Sequence, residues 1–172
     1  DSTELKPLDV SKIVTYRNYD NEFYKKLWLL NGLHLQLAYY GLANKHTYID
    51  EVLSSKEGRE FGESAIKSLA EAYTLMSNSD ENLDNFSKTI INRFTLPEIK
   101  DEVTRIARNP EIKFSKNERF EYPLRLLIAN NKNVETFNTI LNIIISGDYP
   151  QVEGFSSFKE AVLEKGTSNI YN

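Results

Sequence analysis

The stretch Asp20-Asn21-Glu22-Phe23-Tyr24-Lys25-Lys26-Leu27-Trp28-Leu29-Leu30-Asn31-Gly32-Leu33-His34-Leu35-Gln36-Leu37-Ala38-Tyr39-Tyr40-Gly41 decides the fold. Phe23, Leu27, Leu30, Leu33, Leu37 and Tyr40 recur at intervals of three and four, the period of one face of a helix. Trp28, Leu29 and Leu35 add apolar groups around the rest of the cylinder, and a helix apolar all round belongs in the middle of a domain. Asp20 suits the N-cap, Asn21 and Glu22 suit the first turn, and Gly41 suits the stop.

Outward from this helix the pattern stays helical. Upstream, residues 1–19 read as an extended lead-in, with Ile13-Val14-Thr15-Tyr16 as a short β-favouring stretch after Pro7. Downstream, Tyr48, Val52 and Leu53 suggest a short helix, and Phe61 to Met76 carries a longer one. Ser77-Asn78-Ser79-Asp80 breaks the period. Leu83 to Phe94 resumes it, and Pro97 opens a further helix that reaches Arg108 and stops at Asn109-Pro110. Residues 111–117 read as loop. Helices follow over 118–130, with Pro123 in the first turns, over 134–146, and around 158–164. The expectation is an all-α domain of about seven helices over 20–172.

Composition narrows the function. The chain has 172 residues, 40% of them hydrophobic and 12% aromatic, enough to bury a core in one domain. Its net charge of -4 without a basic run speaks against nucleic-acid binding. Cysteine is absent and histidine occurs twice, which leaves no disulfide framework, no thiol nucleophile and no evident metal site. No apolar run approaches the roughly 20 residues of a membrane span, and no signal pattern opens the chain, so a cytoplasmic location is expected. The first residue is not Met, which suggests a piece of something longer. The seven glycines form neither G-x-G-x-x-G nor a P-loop, so a dinucleotide site is not encoded here.

Asn31 and His34 are out of place on so apolar a helix. At 3.6 residues per turn, Lys26, Asn31 and His34 fall at about 0°, 140° and 80°. Asn31 and His34 thus share a face, and the long Lys26 side chain can swing toward it. An amine, an amide and an imidazole then lie within reach of one small polar molecule. Spacing alone leaves ordinary readings open: a solvated lysine, an asparagine bonded to backbone, a satisfied core histidine.

Tyr24-Lys25-Lys26-Leu27, Leu30-Asn31, His34 and Ala38-Tyr39-Tyr40-Gly41 resemble the K-x4-N-x2-H signature of the polyol-specific long-chain dehydrogenases. That family includes mannitol 2-dehydrogenase, the hexuronate reductases and mannitol-1-phosphate 5-dehydrogenase, to which the motifs are most similar. A second block runs through Arg93-Phe94, Pro97, Ile99-Lys100-Asp101, Val103, Arg105-Ile106, Arg108, Pro110, Lys113-Phe114-Ser115, Arg119-Phe120 and Pro123. It is similar to the family's R-F-x-N-P-x-L-K-D-x-V-x-R-V-x-R segment and the K-L-S-x-x-D-R-L-x-x-P that follows. The likeness covers roughly 10–150. Leu96 stands where the family has Asn, Glu118 where it has Asp, and Leu33 and Leu35 where it has small residues.

The resemblance implies a helical substrate domain, similar to the 6-phosphogluconate dehydrogenase C-terminal-domain-like fold. It implies hydride transfer between NAD and a secondary alcohol of a sugar alcohol or its phosphate. Lys26 would be the general base, Asn31 a donor to the developing alkoxide, and His34 a ligand of the substrate oxygen or an orienter of Lys26. NAD would be held mainly by an N-terminal Rossmann domain absent from this sequence, leaving this chain inactive alone, and no metal is required. Arg119 is a candidate for substrate hydroxyls or a terminal phosphate, against an ordinary salt bridge with Glu118 or Glu121. Arg93, Lys100, Asp101 and Arg105 read as helix-surface ion pairs. The alternatives are a hexuronate reductase of the same family and a non-catalytic helical interaction module.

Overall fold

A computed structural model describes residues 19–165. The lead-in read at 1–19, including the β-favouring Ile13–Tyr16, lies outside them except for Tyr19. Among the described residues the secondary structure is helical, with a single isolated antiparallel bridge between Tyr48 and Glu102. The helices are α1 (Tyr19–Lys25), α2 (Leu33–Ala43), α3 (Ile49–Ser54), α4 (Lys56–Ser77), α5 (Asp84–Phe94), α6 (Val103–Ala107), α7 (Pro110–Lys113), α8 (Glu121–Ala129), α9 (Glu135–Ser146) and α10 (Phe155–Lys165). Between α1 and α2 the chain does not leave the helix but widens into a π turn, Lys26–Gly32.

The centre is α2, as its sequence requires. Leu33, Leu35, Leu37, Ala38 and Tyr39 are buried on every side, against α3, α4, α6 and α9. Phe23, by contrast, is exposed. The π turn shifts the helical phase, so Leu27, Trp28 and Leu29 face inward in its place. Asp20 lies inside α1 rather than capping it.

Gly41 does not end the helix, which runs on to Ala43. It marks a crossing: a Cβ there would sit 2.8 Å from Val103 Cγ1 and 2.9 Å from Val52 Cγ2. Both neighbours are β-branched and stiff at χ1. Alanine in a helix interior normally gains about 1 kcal/mol over glycine, but overpacking costs about 1–3 kcal/mol. We expect Gly41→Ala to lower stability, read as a lower urea midpoint at unchanged m-value. A raised midpoint would mean that α3 and α6 yield freely.

The segment 97–108 departs from the single helix expected of it. Only Val103–Ala107 is helical. Lys100 is left-handed at φ 50°, and Ile49 N–H donates to Asp101 O (3.0 Å) while Val103 N–H donates to Thr47 O (3.0 Å). Two long-range backbone bonds thus clamp this chain to the start of α3. Pro110 begins α7 in the favoured first position instead of only ending a helix. Helix α8 starts at Glu121, after a left-handed Asn117 (φ 66°).

Candidate active site

The Asn31–His34 face of the central helix opens into a cavity of about 360 Å³. Its other lining residues include Leu35, Arg93, Asp101, Arg105, Arg108, Lys113 and Arg119. Five cations and one carboxylate therefore surround an amide and an imidazole. The cations come from separate segments: Arg93 from α5, Arg105 from α6, Arg108 from the turn after it, Lys113 from α7 and Arg119 from the turn before α8. The volume lies in the range of pockets that enclose a small metabolite.

Each side chain is held in place. Tyr39 Oη donates to Ala107 O (3.2 Å) and Lys113 Nζ donates to Ile106 O (2.7 Å), so α2 and α7 both cap the end of α6 between Arg105 and Arg108. Arg119 reaches the cavity because Gly32 has no side chain: a Cβ there would lie 2.9 Å from Arg119 O. The turn ahead of α8 is fixed by Glu121, whose fully buried carboxylate accepts from Asn117 N–H (2.8 Å) and Arg125 Nε (2.7 Å). Arg119 Nε donates to Glu118 Oε2 at 3.1 Å, so the expected salt bridge and the cavity position coexist.

The imidazole of His34 lies on Phe94, with centroids 4.5 Å apart. Its Nε2 is 3.1 Å from Asp101 Oδ2, close enough for an ion pair but not aligned for a hydrogen bond. Burial lowers the His34 pKa to about 4. Arg105, Lys113 and Arg93 push the same way, and Asp101 opposes them without prevailing. His34 is therefore a neutral imidazole at physiological pH. Burial also lowers Lys113, to about 8, with help from Arg119, Arg108 and Arg105.

Lys26 sits elsewhere. It is exposed and lines a separate concavity with Tyr19, Glu22, Phe23, Lys25, Leu30 and Phe86. The π turn nevertheless changes its relation to Asn31. Leu33 N–H donates to Trp28 O, a five-residue reach, so in this segment residues five apart come into register. The 140° separation expected between Lys26 and Asn31 belongs to an α-helix that is not there. Lys25, one residue earlier, is buried: its ammonium pairs with Glu81 and lies 5.0 Å from the Phe86 ring centroid. This fixes the entry to the π turn.

Sequence reading singles out Lys26, Asn31, His34 and Arg119; the last three line one cavity and Lys26 lines another. It underrated Arg93, Asp101 and Arg105. Asp101 and Arg105 do form the expected pair four residues apart, but both face the cavity as well. The signal was present in the density of cations between Arg93 and Arg119, which exceeds what surface pairs require.

A family model for the mannitol dehydrogenase C-terminal domain matches residues 21–149. The chain belongs to that family. The mannitol-1-phosphate 5-dehydrogenase of Pyrenophora tritici-repentis is 30% identical over 155 residues, 85% of this chain and 39% of that protein. That of Mycoplasma pneumoniae is 31% identical over 144 residues, 83% of the chain and 39% of the relative. That of Clostridium acetobutylicum is 34% identical over 106 residues, 59% of the chain and 27% of the relative. This mannitol dehydrogenase C-terminal domain thus spans about two-fifths or less of the relatives it matches. Both of its motif blocks fall inside the matched region, and together they form the cavity.

Proposed function

We propose that this chain is the substrate-binding and catalytic C-terminal domain of an NAD-dependent polyol dehydrogenase acting on a phosphorylated polyol of the mannitol 1-phosphate kind. The observation that carries the reading is the cavity in which Asn31 and His34 meet Arg93, Arg105, Arg108, Lys113 and Arg119. Guanidinium groups suit phosphate in charge and geometry. Three relatives named for the same phosphorylated substrate support it.

Among the described residues no strand feeds a glycine-rich turn into a helix, the arrangement that cradles a dinucleotide's pyrophosphate. The proposal assigns that site to an N-terminal part of a longer protein. NAD, when bound there, supplies the hydride acceptor. The residues of this chain do the rest. The cations seat the phosphate, and His34 bonds a substrate oxygen. Asn31 donates its amide N–H to the oxygen on which negative charge develops. The Lys26 amine takes the hydroxyl proton. Exposure of Lys26 favours the alternative of a non-catalytic helical module; family membership and the cavity's chemistry favour the enzyme. A hexuronate reductase would use the same cations for a carboxylate.

The test is steady-state kinetics of the full-length dehydrogenase with mannitol 1-phosphate, mannitol and a hexuronate. Arg119→Ala or Arg105→Ala should raise KM for the phosphorylated polyol about 10–100-fold, the loss of one charge-assisted hydrogen bond. Free mannitol should be turned over poorly by wild type and mutant alike. Equal losses on all three substrates would remove the phosphate from the reading.

The pH dependence of KM follows from Lys113. It is cationic below its lowered pKa of about 8 and neutral above it. A phosphate monoester gains its second charge near about pH 6. Affinity should therefore peak between these values and fall as pH rises past 8. Lys113→Met should abolish the alkaline fall.

A further inference from the structure

Among the described residues Asp101 is the one carboxylate that lines the cationic cavity. We propose that Asp101 is a positioning residue for His34, holding the imidazole in one tautomer and one orientation so that its other edge meets the substrate. This rests on the proposed role of His34 in the site.

The contact that suggests it is the 3.1 Å approach of Asp101 Oδ2 to His34 Nε2, a nitrogen shut off from solvent. A carboxylate at one edge of a neutral imidazole favours the tautomer with N–H on that edge. Nδ1 is then a hydrogen-bond acceptor, the form that receives a substrate hydroxyl. Three features make Asp101 rigid enough for the task. Its Oδ1 is paired with Arg105, its carbonyl accepts from Ile49 N–H at 3.0 Å, and the next turn is bound through Val103 N–H to Thr47 O at 3.0 Å. Phe94 supports the ring face. Pairing with Arg105 does not exhaust Asp101, since the second oxygen is turned toward the ring.

The charged groups facing His34 are Arg93 from α5, Arg105 from α6, Lys113 from α7 and Asp101 itself. Among them only Asp101 favours a proton on the ring. Its removal leaves three cations unopposed. The isolated ring would then sample both tautomers.

The experiment is imidazole ¹⁵N NMR of the 172-residue chain, whose only other histidine, His46, is identified by a His46→Asn control. In the wild type His34 should be almost wholly the Nε2–H tautomer. In Asp101→Ala the minor tautomer should rise several-fold, with the Ile49 and Val103 amide signals in place to show an intact backbone clamp. Asp101→Asn keeps the volume if the alanine variant does not fold, and should move the His34 protonation midpoint to lower pH. Unchanged tautomer populations in Asp101→Ala, or an unchanged midpoint in Asp101→Asn, would overturn the proposal. In the full-length dehydrogenase Asp101→Ala should lower kcat about 10-fold or more, with little change in KM and no further loss in a His34→Ala background. Full additivity of the two substitutions would also overturn it. A His34→Ala enzyme with wild-type kcat/KM would instead overturn the reading of the site, whatever the NMR shows.

Discussion

Lys26→Ala in the full-length dehydrogenase is expected to lower kcat by about 10²–10⁴-fold, the usual contribution of a positioned general base. On the proposed reading KM for the polyol phosphate should change little, because the cations assigned to the phosphate line a different cavity from Lys26. Small primary amines added to the assay should restore part of the rate by supplying the missing base. Lys25→Met is the informative control. Lys25 is buried and paired with Glu81, so its loss should lower the melting temperature while sparing much of the chemistry per folded molecule. Asn31→Ala should cost a few kcal/mol of transition-state stabilisation, with a smaller effect on KM. If Lys26→Ala kept more than about a tenth of wild-type kcat, the loss would fall below the acid–base range and the base would lie elsewhere. Lys113, with its pKa lowered to about 8 inside the cavity, would be the next amine to examine.

Leu37→Asp is expected to abolish folding. Leu37 is fully buried on α2, and a Cβ on Gly62 of α4 would meet its Cδ2 at 3.3 Å. Losing the leucine alone costs about 2–5 kcal/mol. An unpaired carboxylate in its place adds several more, or takes up a proton to stay neutral at comparable cost. Domains of this size have only about 5–15 kcal/mol in hand, so the two penalties together consume it. Circular dichroism and size-exclusion chromatography are the checks, with Leu37→Ala as a folded, weakened companion. A soluble Leu37→Asp chain with a cooperative melt near that of the wild type would show that α2 is not the centre of the core.

The central helix was legible because its signal is local. Leu33, Leu35, Leu37 and Tyr39 are apolar around the whole cylinder, and nothing but burial suits such a helix. The stretch from Pro97 to Arg108 departs from its sequence pattern for the opposite reason. Ile99, Val103 and Ile106 keep a helical period, but backbone bonds to Thr47 and Ile49 hold the chain in another path. Bonds across some fifty positions leave no trace in a window of ten.

The site divides in the same way. Asn31 and His34 were conspicuous as polar groups on an apolar helix, and the structure gives them one cavity. Arg93, Arg105, Arg108 and Lys113 were not, because a surface ion pair and an anion-binding group have the same spacing along a helix. Tertiary convergence separates them, and along the sequence only the excess of cations over that stretch hints at it. Leu33 and Leu35, larger than the family pattern, part company here: Leu33 joins the core, while Leu35 forms part of the cavity wall and narrows it.

A π turn is an α-helix that has taken in one extra residue. The interval from Lys26 to Asn31 is therefore a length as well as a pattern. Deleting a single residue between them would let the helix close into ordinary α geometry with every hydrogen bond remade. The apolar content of the segment would barely change. Residues five apart would become residues four apart, about 40° round an α-helix, so Lys26 would stay on the side on which Asn31 stands. Substitutions in this segment can be absorbed one side chain at a time. A deletion within the π turn is absorbed as well, because it removes the one residue that widens the helix.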